Sequence, residues 1–127
     1  MELQISRSES EIMSIIWQSG GKITVGPLLE KLAVIGRSWK SNTVVTFLAR
    51  LAEKGLLTVE KSGRFNTYIA VFTEADFRER QTRSFLEKMY DGNAKELVAS
   101  LLRQECLSPA DIEELTVFWK KGGDGNE

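Results

Sequence analysis

The stretch "WKSNTVVTFLARLAEKGLL", Trp39 to Leu57, constrains the fold of this chain more than any other. At 100° per residue, Val44, Phe47, Leu48 and Leu51 fall within about 100° of one another, which is the core face of an amphipathic helix. The opposite arc holds Asn42, Val45, Thr46, Ala49, Arg50 and Glu53. A helix that only faces water usually carries Lys and Glu on that side. Short, mostly uncharged side chains around one arginine instead let a helix sit deep in a DNA major groove. Asn and Arg can pair with adenine and guanine edges, and Thr or Val methyls can meet thymine methyls. A solvated helix could show the same pattern, so its neighbours along the chain decide its meaning.

Two shorter helices precede it. In "SRSESEIMSIIWQSGG", Ser8 and Glu11 fit a capping box, and Ile12, Ile15 and Ile16 form a stripe that Met13 and Trp17 extend. Gly20-Gly21 stops that helix. "KITVGPLLEKLAVIG" predicts a short extended entry and then a helix capped by Thr24, with Pro27 in its first turn and Gly36 at its end. Leu28, Leu29 and Leu32 are its buried face. The third helix is expected from an N-cap at Ser41 to about Lys54, with Gly55 as the stop. "LLTVEK" and "FNTYIAVF" then flank "SGR" as a hairpin with a basic tip. Alternation in the second run sets Phe65, Thr67 and Ile69 against Asn66, Tyr68 and Ala70. Three helices and a hairpin in residues 1–72 follow the order of a winged helix-turn-helix domain. The expected fold class is mostly α with a small β-hairpin.

Residues 73–127 read as three more helices, a helical dimerisation domain. Thr73 caps the first, which is polar until Phe85, Leu86, Met89 and Tyr90 and is expected to bridge two modules. "DGN" breaks it. The next carries Leu97, Val98, Leu101 and Leu102; Ser108, Pro109 and Asp111 then open a helix bearing Ile112, Leu115 and Trp119. "KKGGDGNE" is expected to fray. Leu97, Leu101, Ile112, Leu115 and Trp119 make faces wider than a three-helix monomer of this size easily covers. A second copy of the chain would cover them; the other possibility is a compact monomeric cap on the winged domain.

Several function classes drop out. The chain has no histidine and one cysteine, Cys106, expected to be partly buried and inert. It therefore offers no internal disulfide, no zinc ligand set and no histidine-based catalytic arrangement. Asp111 and Glu114, at i and i+3, read as a solvated face. No enzyme, metal or cofactor is expected. No apolar run approaches the roughly 20 residues that span a bilayer, and the N-terminus lacks a signal-peptide pattern. A cytoplasmic location without membrane insertion follows as an expectation.

Net charge is −1, but it is unevenly distributed. Residues 37–64 carry Arg37, Lys40, Arg50, Lys54, Lys61 and Arg64 against Glu53 and Glu60, a local +4 in an otherwise acidic chain. That asymmetry points to a polyanion. Lys40, Lys61 and Arg64 flank the open face of the third helix and suit phosphates on either side. Arg50 can serve a base edge or a phosphate.

The segments "SESEIMSIIW", "WKSNTVVTFLARLAEKGLL", a tyrosine-bearing second strand, "SFLEKMYDGNAKELVASLL" and "LSPADIEEL" occur in that order. Together they resemble the penicillinase-repressor (BlaI/MecI-type) family over nearly the whole chain. The resemblance implies a homodimeric repressor that binds an inverted-repeat, double-stranded DNA operator through its winged domains. Its base-reading positions fall on Asn42, Thr43, Val45 and Thr46, and Arg50 matches the family's near-invariant arginine. In the β-lactam-responsive branch a membrane-associated sensor leads to cleavage of an Asn-Phe bond in the fifth helix. The matching bond here is Ser100-Leu101, a departure that leaves the inducing signal open. The cysteine-rich motif of the copper-responsive branch is represented only by Cys106. The rival reading from another class is a winged-helix protein–protein interaction module without DNA binding.

Overall fold

The computed structural model describes residues 4–122. The predicted tail from residue 123 onward lies outside the described residues. Helix α1 (Arg7–Gln18) leads to a two-residue strand β1 (Lys22–Ile23), then α2 (Val25–Val34) and α3 (Ser41–Glu53). The hairpin β2 (Leu57–Ser62) and β3 (Phe65–Ala70) follows, and α4 (Glu74–Tyr90), α5 (Ala94–Arg103) and α6 (Pro109–Lys120) complete the order. Among the described residues no helix is long and apolar enough to cross a membrane.

The capping of α1 differs from expectation. "SRSESE" contains the Ser-x-x-Glu pattern twice, and the earlier copy forms the box. The Ser6 hydroxyl accepts the Glu9 amide at 3.1 Å, and the Glu9 carboxylate accepts the Ser6 amide at 2.8 Å. Glu11 is thereby free to pair elsewhere. Likewise Lys40, not Ser41, is the N-cap of α3, and it supplies no side-chain cap. The box at Ser108 and Asp111 forms as read.

A third strand completes the sheet, in the antiparallel order β1-β3-β2. The extended entry to α2 pairs Lys22 with Ile69 and Ile23 with Tyr68. Two residues were too short a run to signal a strand by alternation. Along β2 and β3 the register sets Leu57 opposite Ala70 and Val59 opposite Tyr68. Leu57 and Tyr68 are buried, so the face that includes Asn66, Tyr68 and Ala70 is the inner one. Beyond Tyr68 the ribbon has no buried residue, which is the form of a wing.

The core draws on every element up to β3. Ile12, Met13, Ile15 and Ile16 of α1 meet Leu28 and Leu32 of α2, Val44, Leu48 and Leu51 of α3, and Leu56, Leu57 and Tyr68 of the hairpin. Trp17 and Trp39 pack against its edge. The Trp17 indole donates to the Phe72 carbonyl at 2.8 Å and stacks on Phe77 of α4, with ring centroids 5.5 Å apart. Three helices and a small sheet around one core, with a projecting hairpin, make a winged helix-turn-helix.

The chain divides into two compact units, Met1–Thr82 and Arg83–Glu127, with α4 belonging in part to each. In the second unit α5 and α6 contain no buried residue. Leu97 and Leu101 are half-buried, whereas Ile112, Leu115 and Trp119 are exposed. Cys106, expected to be partly covered, is exposed. It follows Glu105, whose backbone turns out of α5 at φ 59°, so it stands past the end of the amphipathic helix rather than on its apolar face.

Candidate nucleic-acid interface

Helix α3 presents two faces. Val44, Leu48 and Leu51 are fully buried, while Asn42, Thr43, Val45, Thr46, Ala49 and Arg50 are all exposed. Four of the side chains singled out in the sequence, Asn42, Val45, Thr46 and Arg50, thus share one open surface. The Thr46 hydroxyl donates to the Asn42 carbonyl at 2.9 Å. Its proton is engaged inside the helix, so it offers a partner a methyl group and an oxygen lone pair. That suits contact with a thymine methyl or a base amino group.

Arg50 has no acidic partner within ion-pair distance among the described residues. Its guanidinium stands 5.9 Å from the centre of the Phe47 ring. Phe47 in turn packs on Trp39 at 5.3 Å, and the Arg37 guanidinium lies 5.6 Å over Trp39. Arg37 grips Glu11 of α1 through two hydrogen bonds of 2.9 Å each. A continuous relay of rings and cations therefore runs from the open face of α3 to α1. Phe47 reads from sequence as a core-face residue; it also packs beneath the Arg50 guanidinium, with Trp39 behind it.

The other end of α3 is held too. Lys54 donates to Glu9 at 2.8 Å and to the Gln4 carbonyl at 2.8 Å. Glu9 is almost fully buried, and burial alone would push its carboxyl up. The Lys54 hydrogen bond, the Ser6 amide and the Lys54 charge outweigh that, so it titrates below its ordinary range. Arg37 holds Glu11 below the ordinary range as well, through its hydrogen bonds and its charge. Sequence reading missed both anchors. Partners 45 and 26 residues apart leave no periodic signal.

These pairs revise the charge argument. Of the six basic residues in 37–64, Arg37 and Lys54 are spent on α1. Lys40, Arg50, Lys61 and Arg64 keep no acidic partner among the described residues. Lys40 stands at the start of α3, where the first turn carries no acidic residue and the helix dipole is positive. Lys61 and Arg64 are exposed on the hairpin, at the end of β2 and in the turn. Gly63 opens that turn at φ 63°, as a two-residue hairpin turn of the II′ kind requires of its first central residue.

Comparison with known proteins bears on this surface. The chain matches the model of the penicillinase repressor family over residues 5–121. It is 34% identical over 112 residues to a penicillinase repressor of Bacillus licheniformis, covering 88% of this chain and 86% of that protein. It is 30% identical over 112 residues to the methicillin resistance regulatory protein MecI of Mammaliicoccus sciuri, covering 88% and 89% of the two chains. Among solved structures it is similar to the DNA binding domain of the repressor BlaI. That likeness has a TM-score of 0.51 at 34% identity and covers 58% of this chain and 88% of the other.

Proposed function

The chain belongs to the penicillinase repressor family, and on that premise we propose that this DNA-binding repressor reads its operator with α3 and the β2–β3 hairpin. The observation that carries the reading is the open face of α3. Four side chains able to address base edges lie together on it, and its arginine has no internal partner. Asn42, Thr43, Val45 and Thr46 face the major groove. Arg50 takes a base edge or a phosphate, and Lys40, Lys61 and Arg64 hold the backbone.

Two copies associate through residues 73–127, so that paired winged domains of residues 1–72 meet an inverted repeat. Support comes from α5 and α6, which fully bury no residue within one chain while carrying the half-buried Leu97 and Leu101 and the exposed Ile112, Leu115 and Trp119. The repressor works in the cytoplasm. It is released when a membrane-associated sensor protease leads to a cut at or near Ser100-Leu101. That bond lies inside α5, and the Gln104 side chain donates to the Ser100 hydroxyl at 2.9 Å. A protease therefore needs α5 to open locally before it can bind the chain.

Selection of bound duplexes from random DNA at two salt concentrations tests the whole reading. The expected result is an enriched inverted repeat whose recovery falls as salt rises. Recovery of no sequence at either salt contradicts it and favours a protein-interaction module.

A further inference from the structure

Phe65 is 66% exposed, whereas every other aromatic ring among the described residues of 4–82 is buried or half-buried. It is the first residue of β3 and follows Arg64 directly at the hairpin tip. The register sets it opposite Ser62, and the next pair on its side of the ribbon is Glu60 with Thr67. No apolar neighbour across the strands covers it. A lone exposed apolar side chain is ordinary on a protein surface. This one stands at the end of a projecting ribbon, directly after Arg64 and with Lys61 on the ribbon's other face, two cations that have no acidic partner among the described residues, and it contributes nothing to the core.

We propose that Phe65 is an apolar DNA contact of the wing. Its ring packs against deoxyribose faces in the wall of the minor groove, while Arg64 and Lys61 hold the adjacent phosphates. The inference rests on the reading of the hairpin as part of the DNA interface and adds a residue of different chemistry to it. A wing made only of cations binds by releasing counterions, and its contribution shrinks as salt rises. An apolar ring removed from water contributes a term that salt does not screen. Proteins that engage the minor groove do combine Arg and Lys with apolar side chains, commonly as wedges between base steps; packing on the sugar wall uses the same apolar chemistry without unstacking the bases. Phe65 therefore sustains binding at salt concentrations where the lysine and arginine contacts fade.

The test uses the full chain and the duplex that the wild-type chain recovers by selection, together with a duplex holding one half of that site. Binding is titrated across a salt series for wild type, Phe65→Ala, Phe65→Leu and Arg64→Ala. For each wing engaged, Phe65→Ala should bind roughly 10-fold more weakly at every salt concentration, with the salt slope unchanged. Phe65→Leu should keep most of the affinity. Arg64→Ala should lower the slope by about one for each wing engaged. On the half-site, where one wing engages, the loss should be that single factor, and on the full site, which engages both wings, about its square; the melting temperature of Phe65→Ala should match wild type because the ring supports no core. Wild-type affinity in Phe65→Ala overturns the inference while leaving the DNA reading intact. So does a loss confined to the full site, which would make Phe65 a contact between protein copies. A wild-type chain that recovers no duplex overturns the DNA reading and this inference with it.

Discussion

Single residues divide here into those that face out and those that hold them still. Arg50 faces out, and Arg50→Ala should cost about 1–3 kcal/mol of specific affinity, measured by titration of the selected duplex at moderate salt. Lys61→Ala should instead leave sequence preference intact and lower the salt slope by about one. Equal binding by wild type and Arg50→Ala would remove α3 from the interface. Glu9 holds α3 still, because its nearly buried carboxylate meets Lys54 at 2.8 Å. Its folded titration lies below the ordinary value of 4.5, so its ionised form stabilises the fold at neutral pH. That contribution is lost as pH falls below about 4.5 and through the depressed folded value. Glu9→Gln should therefore melt lower than wild type at pH 7, by about 1–3 kcal/mol of stability, and the gap should close on acidification towards pH 3. A gap that widens in acid would show that the pair is not what Glu9 contributes.

The elements sort by how completely one chain can bury them. Helices α1, α2 and α3 each place their apolar stripe into a common core, so the winged unit has its own apolar set. Helices α5 and α6 have apolar stripes that one chain covers only in part, with no residue of either helix fully buried. Leu101→Asp should accordingly yield monomers at micromolar concentration by sedimentation, while circular dichroism shows the winged unit still folded. A charge on that stripe is tolerable in water and costly in an apolar interface. An unchanged association state would mean that α5 is not the contact. Helix α4 serves differently: Phe77 fastens its first half to Trp17, and Arg80 lies 4.3 Å over the Phe72 ring. The start of this long helix is thus tied to the winged core.

At the scale of the whole molecule, two weak readings become one strong one when they are tethered. A dimer that places two α3 helices on an inverted repeat gains from the effective concentration of the second contact. Truncation after Ser100 removes α6 and the last turn of α5 without touching α3 or the hairpin. The fragment should be monomeric, bind a half-site as the intact chain does, and bind the full operator at least 10-fold more weakly than the intact chain. A fragment that stays dimeric with full operator affinity excludes cleavage at Ser100-Leu101 as the means of release.

What the sequence determined by itself was periodic or local. Val44, Leu48 and Leu51 at helical spacing fixed the inner face of α3, and hence its outer one, because a helix cannot bury one arc without exposing the other. Glycines at positive φ, such as Gly36 and Gly55, marked where helices end, since few other residues adopt that backbone readily. The wing followed from alternation around "SGR", and the family was legible from collinear segments. What tertiary structure decided was long-range. Of the two overlapping Ser-x-x-Glu boxes, the one that caps α1 is the one whose Glu9 also meets Lys54, 45 residues away, a partner no local pattern could show. A strand of two residues existed only because β3 lay beside it. Arg37 and Lys54 counted towards a basic segment until their partners in α1 claimed them. Pairings between distant positions leave no period in the chain, so only the folded arrangement could show which charges remain for DNA.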